Sequence, residues 1–282
     1  MTFLEFARSH GLIVDALIEG RWARTKTMDK ERKRNGSYKF LGDIGFVQNH
    51  ATMDGVAIWH LDGKTERIDS SEWKARQAIA MANEEARQSE AREVAAGMVS
   101  RAVTDVHPYL VAKGFPDELG LVLDGELLIP MRDFRLYKRL NSLQRIAEDG
   151  KKLFLPGGKA KGSVFFLGPF MARERWLVEG YATGLSVRLA LRELRRDAQI
   201  VICFSASNLS HLGQAVKPLG IPAFVFADHD ESDAGEKAAI DSGLPWVMAP
   251  EVGDANDWHQ RYGVRALVKV IRDISVKERQ SA

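Results

Sequence analysis

The sequence predicts an α/β protein: a mainly parallel sheet flanked by helices, preceded by a mixed α+β basic subdomain and a small N-terminal strand-rich module. Three observations carry this. From Trp176 onward, short apolar runs alternate with helical stretches, the rhythm of βαβ units. Between His107 and Phe166, apolar pieces are broken by turn signals such as Pro156-Gly157-Gly158, as in hairpins. Between Gly36 and Gly63, still shorter pieces alternate with Gly, Asn and Asp.

Taken in order, Thr2 and Glu5 form a capping-box pattern ahead of Phe3, Leu4, Phe6 and Ala7, and Gly11 closes that short helix. Tyr38-Lys39-Phe40, Gly45-Phe46-Val47 and Val56-Ala57-Ile58-Trp59 read as strands of a small antiparallel sheet. From about Ser71 to Val103 the chain is rich in Ala, Glu, Arg, Gln and Met, which predicts one long polar helix serving as a connector. A new unit opens at His107-Pro108 and includes a strand over Leu127–Arg132. Then follow strand 176–179, helix 182–195 with Leu185, Leu189 and Leu194 on its apolar side, strand 199–204, helix 208–218, strand 223–227, helix 234–242 and strand 245–249. The expected division is 1–70 (N-terminal module), 71–106 (helical connector), 107–170 (basic subdomain) and 171–282 (catalytic domain).

The chain has 282 residues, 28% of them charged, and a net charge of only +2, which describes an ordinary globular protein rather than an overall basic nucleic-acid binder. The charge is uneven. Arg21, Arg24, Lys26, Lys30, Arg32, Lys33, Arg34 and Lys39 form one basic stretch; Arg132 to Lys161 form a second, with Arg135, Lys138, Arg139, Arg145, Lys151, Lys152 and Lys159. Acids gather later, at Asp228, Asp230, Glu231, Asp233, Glu236, Glu251, Asp254 and Asp257. Basic regions ahead of an acidic pocket fit a polyanion track leading to a metal, with solvated surface as the plain alternative. The lone Cys203 excludes an internal disulfide and agrees with a reducing, cytoplasmic setting. No apolar run approaches the ~20 residues that cross a membrane, so no membrane partner is expected.

Chemistry concentrates where apolar runs end in acids. Trp176-Leu177-Val178 runs into Glu179-Gly180, and Phe224-Val225-Phe226-Ala227 into Asp228-His229-Asp230. Gly253-Asp254-Ala255-Asn256-Asp257 follows the next strand. Ligands of parallel sheets sit outside the carboxyl ends of strands, so these acids converge on one pocket. An all-oxygen donor set suits magnesium or manganese and phosphate chemistry. Each acid also has a plainer reading: a loop carboxylate for Glu179, a helix cap for Asp230 or Asp233, an Asx turn or cap for Asp254. His211, on the loop after strand 199–204, faces the same edge or simply begins a helix. No Gly-x-Ser-x-Gly elbow is present, which argues against a serine hydrolase.

The segment Leu177-Val178-Glu179-Gly180-Tyr181-Ala182-Thr183, with Asp228-His229-Asp230 and Asp254-Ala255-Asn256-Asp257, resembles the Toprim domain of bacterial-type primases, topoisomerases and some nucleases. Ile129-Pro130-Met131-Arg132-Asp133, Leu153-Phe154-Leu155-Pro156-Gly157-Gly158, Lys161-Gly162 and Phe166-Leu167-Gly168 resemble the basic subdomain ahead of Toprim in phage and plasmid primases. The resemblance covers about residues 107–260. It implies a DNA primase that makes short RNA primers from ribonucleoside triphosphates on a single-stranded DNA template. It also implies Glu179, Asp228 and Asp230 as catalytic residues and Glu179, Asp228, Asp230, Asp254 and Asp257 as ligands of Mg2+ or Mn2+. Nucleotide and DNA contacts would come from Arg132, Lys138, Arg139, Arg145, Lys159, Lys161 and Lys237.

Primases of this type commonly begin with a zinc ribbon; residues 1–70 hold no Cys, so no zinc is expected, and the module resembles such a ribbon without its zinc. His50 and His60 with Asp43, Asp54 or Asp62 form only a minor candidate metal set. Tyr38, Phe40, Phe46 and Trp59 are either base-stacking rings or core, with core favoured for Phe46 and Trp59. No Gly-x4-Gly-Lys-Ser/Thr pattern occurs, so a replicative helicase is expected as a separate partner. Rival readings are a Toprim-type nuclease and a non-catalytic single-strand-binding protein of a mobile element; a topoisomerase is disfavoured by the short chain.

Overall fold

A computed structural model describes residues 1–29, 34–53, 55–61 and 70–281, with side chains described outside 70–77 and 275–281. Lys30, Arg32, Lys33, Asp54 and Asp62 lie outside the described residues. The chain forms two compact units, Met1–Ala86 and Arg87–Ala282.

In the first unit, helix α1 (Phe3–Ser9) begins with the capping box read from Thr2 and Glu5. Strands β1 (Leu12–Ile13), β2 (Trp22–Thr27), β3 (Gly36–Phe40), β4 (Ile44–Asn49) and β5 (Ala57–His60) pair antiparallel in that order. Strand alternation sends Tyr38, Val47 and Trp59 to one face, where Phe3 and Ala7 of α1 cover them. Phe40 packs against the same cluster, so Tyr38, Phe40 and Trp59 are core rings. Phe46 departs from the expectation of a core role. It stands one residue out of register with Val47 and so points from the opposite face, beside Trp22.

Helix α2 (Ser70–Arg101) is the long polar helix expected. In the second unit its last turns are not merely a spacer: Ala95 is fully buried with Leu128 and Leu143. After it come β6 (Val103–Asp105), α3 (Pro108–Ala112), β7 (Gly120–Leu123), β8 (Glu126–Asp133), β9 (Leu140–Ile146), β10 (Lys152–Phe154) and β11 (Ser163–Leu167). They form an antiparallel array in which β8 pairs with β7, β9 and β11. The chain then alternates through β12 (Glu174–Val178), α4 (Tyr181–Glu193), β13 (Ala198–Ile202), α5 (Ala206–Val216), β14 (Ala223–Ala227), α6 (Ala234–Ser242) and β15 (Trp246–Met248). These boundaries lie within a few residues of the expected ones. Helices α7 (Ala255–Tyr262) and α8 (Val264–Ser281) complete the chain.

Strands β13, β12, β14 and β15 are parallel neighbours in that order. The sheet as a whole is mixed, because β11 pairs antiparallel with both β8 and β13 and joins the two halves into ten strands. Alternation along the parallel strands builds two cores. Trp176, Val178, Ile200, Ile202, Phe224 and Phe226 face one side, under α4 and α8. Leu177, Val201, Val225 and Ala227 face the other, under α5 and α6. Burying each such side chain contributes about 1.5–3 kcal/mol. The chain thus leaves β12 toward one face and leaves its neighbours β13 and β14 toward the other. This arrangement opens a crevice over the carboxyl end of β12. No helix of the described residues is long and apolar enough to cross a membrane.

Candidate functional site

Glu179 is the first residue beyond β12, Asp228 the first beyond β14, and Asp254 lies in the loop after β15. Backbone bonds draw these three loops together. His229 and Gly253 exchange N–H···O bonds of 3.0 and 2.8 Å, stitching the Asp228–Asp230 loop to the Asp254 loop, and the His229 imidazole adds a 3.0 Å bond to the Ala249 carbonyl. Thr183, in the first turn of α4, donates from Oγ1 to Asp254 Oδ2 at 3.1 Å. The Phe204 N–H donates to the Glu179 carbonyl at 2.9 Å. Phe204 holds φ at +68°, an unfavourable conformation for a bulky side chain, of the kind found where surrounding structure over-determines a site.

Gly235 makes the approach of α6 possible. A Cβ there would stand 2.0 Å from the Asp228 carbonyl oxygen, so only glycine lets the helix start against the acid loop. Asp230 caps that start. Its Oδ1 accepts the N–H groups of Ser232 (2.8 Å) and Ala234 (3.3 Å) and the Ser232 hydroxyl, and its Oδ2 accepts the Gly235 N–H (3.0 Å). These donors, the Ser232 hydroxyl first, hold its carboxyl down at about 2.

Asp254 caps α7, accepting from Asn256 and Asp257 backbone N–H at 2.7 and 2.9 Å, while the Asp257 carboxylate accepts the Asp254 N–H at 3.1 Å. The two acids are therefore a capping box. Asp257 serves this cap and does not figure among the charges felt by Glu179 or Asp228.

The other acids do feel one another. Asp228 is pushed up to about 8, first by burial, then by the charges of Asp254 and Glu179, with Lys152 opposing and Asp230 adding to the rise. Burial and Asp230 likewise raise Glu179, opposed by Lys152. Glu179, Asp228, Asp230 and Asp254 thus share one electrostatic neighbourhood with a single lysine. Lys152, on edge strand β10, is absent from the nucleotide contacts that the sequence motifs imply. Its ammonium lies 5.8 Å from the centroid of the buried Tyr109 ring. Tyr109 is itself raised by burial and by Asp254, and its hydroxyl has no hydrogen-bond partner among the described residues.

Among the described residues, no three His, Cys, Asp or Glu side chains are disposed to close around a metal ion. Magnesium needs fewer: it keeps several waters and takes one or two carboxylates plus substrate phosphates. Asp228 Oδ1 is buried and accepts no hydrogen bond from the described residues, an expensive state for a carboxylate oxygen. An all-oxygen, anionic set with an orphaned acceptor fits a hydrated divalent cation.

None of the basic residues implied by the sequence motifs figures among the charges felt by Glu179 or Asp228. Arg132, at the end of β8, donates from Nη1 to the Lys138 carbonyl at 3.1 Å; Lys138 and Arg139 are exposed on the turn that follows. Arg145 is committed to Glu126 at 3.4 Å and Lys159 approaches Asp133 at 3.9 Å. Lys161 is exposed on a loop fixed by Asn208, which accepts the Gly162 N–H at 2.8 Å and donates to the Ser163 and Cys203 carbonyls. Lys237 is exposed on α6. His211 is exposed on α5, whose N-cap is Ser205.

No family model matches the sequence. Among solved structures, the chain is similar to the primase fragment of the bacteriophage T7 primase-helicase protein, with 18% identity and a TM-score of 0.41, over 54% of this chain and 65% of that one. It is similar to a bacteriophage T7 structure of lagging-strand DNA polymerase interacting with primase domains bound to an RNA/DNA hybrid and dTTP (17% identity, TM-score 0.42, 60% of this chain and 90% of that one). A third likeness is to the RNA polymerase domain of Mycobacterium tuberculosis primase DnaG in complex with a DNA oligomer, with 20% identity and a TM-score of 0.35, over 54% of this chain and 52% of that one.

Proposed function

We propose that this chain is a Toprim-type DNA primase core of the phage or plasmid kind, joining ribonucleotides on a single-stranded DNA template. The observation that supports this reading best is the meeting of Glu179, Asp228, Asp230 and Asp254 over the carboxyl end of β12, with one orphaned carboxylate oxygen and Lys152 among them. Asp228 and Glu179 would hold Mg2+ or Mn2+, with Asp254 beside them; Asp230 and Asp257 act mainly by fixing the loops. The bound ion supplies positive charge to the triphosphate. Lys152, with Arg132, Lys159 and Lys161, would neutralise the remaining phosphate charge. Glu179, held above the usual carboxylate range, is suited to take the proton of the attacking 3′-hydroxyl. As that oxygen bonds the α-phosphorus, the bond to the β-phosphate bridge breaks and pyrophosphate leaves.

The test is incubation of the protein with single-stranded DNA, labelled ribonucleoside triphosphates and Mg2+ or Mn2+. Short labelled products that Asp228→Ala abolishes are expected. Shortened DNA with no incorporation would replace this reading with a nuclease, and binding without either product would replace it with a non-catalytic binder.

A further inference from the structure

Two loops of the second unit carry large apolar side chains that no core absorbs. The first, 134–139, joins β8 to β9, and the second, 168–173, joins β11 to β12. Neither is slack. Asp133 Oδ1 accepts the Arg135 and Leu136 N–H groups at 3.0 Å each, and the Asp133 and Phe134 N–H groups donate to the Arg139 and Gly162 carbonyls at 2.9 and 3.0 Å. The second loop is anchored by the buried Ala172 and by the Arg173 N–H, which donates to the Asp197 carbonyl at 3.1 Å. Phe134 and Phe166 pack onto the core under α5 and α6. From there a chain of rings reaches the surface: Phe134 to Phe166 and Phe166 to Phe170 at 6.3 Å between centroids, then Phe170 to Tyr137 at 4.5 Å. At its outer end Tyr137 is 42% exposed, Phe170 46%, Leu136 59% and Met171 87%. Arg135, Lys138, Arg139 and Arg173 are exposed on the same two loops, which contain no Asp or Glu.

Loop tips are ordinarily Gly, Pro or polar, so large apolar side chains held there on pinned backbone mark a docking site. The chemistry of the patch selects the occupant. Leu136 and Met171, the most exposed of the four, give a nucleobase no ring to stack on, and methionine is characteristic of adaptable protein-binding surfaces. A fixed platform of rings suits a partner that has a shape of its own, which a fluid bilayer lacks. Three of the four cations are arginines, whose forked donors match carboxylates two bonds at a time. We propose that this patch docks an acidic peptide segment of another protein, its apolar anchors seated against Tyr137, Phe170 and Met171 and its carboxylates facing Arg135 and Arg173. The docking uses neither the acids of the crevice nor Lys152, and it requires no metal.

The test is fluorescence anisotropy of the full chain, in EDTA, with labelled synthetic peptides that carry Leu and Phe at i and i+4 among either Asp and Ser or Lys and Ser. The Asp series should bind and the Lys series should not. Phe170→Ala and Met171→Asp should each weaken binding roughly tenfold or more, the loss usual for a central anchor. Arg135→Glu with Arg173→Glu should transfer the preference to the Lys series, an exchange that a merely apolar patch would not show. Met171, Arg135 and Arg173 are exposed, so circular dichroism of their variants should match the wild type. No binding of the Asp series, equal binding of both series, or binding that all these variants leave intact would overturn the proposal. So would capture of single-stranded DNA or of phosphatidylserine vesicles through the same residues while the Asp peptides stay unbound. Primer synthesis is not read in this assay, so failure here and failure of the primase reading are separate outcomes.

Discussion

Replacing Asp228 with Asn should stabilise the metal-free protein at neutral pH, because the acid is held where its charge is unwelcome. Its carboxyl moves from an ordinary 3.8 to about 8 on folding. A folded value above the unfolded one means that the native state favours the proton. The contribution is complete below about pH 4 and is lost as pH rises toward 8. Taking those two values, ionisation of Asp228 costs the fold about 2 kcal/mol at pH 5 and about 4 kcal/mol at pH 7. The amide introduced by Asp228→Asn keeps the shape without this ionisation. A domain of this size shifts its Tm by about 2–4 °C per kcal/mol, so Asp228→Asn should melt on the order of 10 °C higher at pH 7 in EDTA and nearly equally at pH 4. Thermal unfolding followed by circular dichroism from pH 4 to 8 measures this. Millimolar Mg2+ should raise the Tm of the wild type and leave the variant little changed. A variant that melts below the wild type at pH 7 in EDTA, or whose Tm rises as much with Mg2+, would refute the reasoning.

Glu179→Gln should lower nucleotide incorporation by about a hundredfold or more while circular dichroism stays unchanged, in line with loss of a proton acceptor; incorporation within tenfold of wild type would remove Glu179 from that role. Lys152→Ala should raise the Asp228 and Glu179 carboxyls further, since their one opposing charge is gone, and should lower the Tm more at pH 8 than at pH 4; a pH-independent shift would mean that the lysine acts by packing alone. Gly235→Ala should cost about 1–3 kcal/mol in urea unfolding, because its methyl meets the Asp228 carbonyl, and should also blunt the Mg2+ response. Asn208→Ala should loosen the Lys161 loop, read as faster hydrogen exchange at Gly162 with little change at Gly235.

The parallel half of the fold is legible because its strands are continuous apolar runs and its helices are bounded by polar loops. Strand 223–227 and helix 234–242 coincide with β14 and α6. Helices α7 and α8 are harder to read: α7 is two turns long, and its capping box uses Asp257 where Glu is usual. The convergence of Glu179 and Asp228 follows from their places at strand ends. What the pattern of acids does not distinguish is ligand from cap. Asp230 and Asp254 each satisfy both descriptions in sequence, and only the hydrogen bonds to α6 and α7 separate them. Lys152 is hidden among many lysines; its importance arises from the pairing of β10 with β9, which places one edge-strand ammonium near acids that lie far along the chain.

Strand β11 hydrogen-bonds to β8 through Ser163 and Val164 and to β13 through Phe165, Phe166 and Leu167. One five-residue segment therefore belongs to both the antiparallel and the parallel half. Clamshell motion of those halves about a hinge would have to tear ladder bonds along its length. Relative movement within this unit is thus confined to surface loops, such as the one carrying Lys159 and Lys161. Paired dyes, one on β9 and one on α6, should report the same separation with and without Mg2+ and nucleotide.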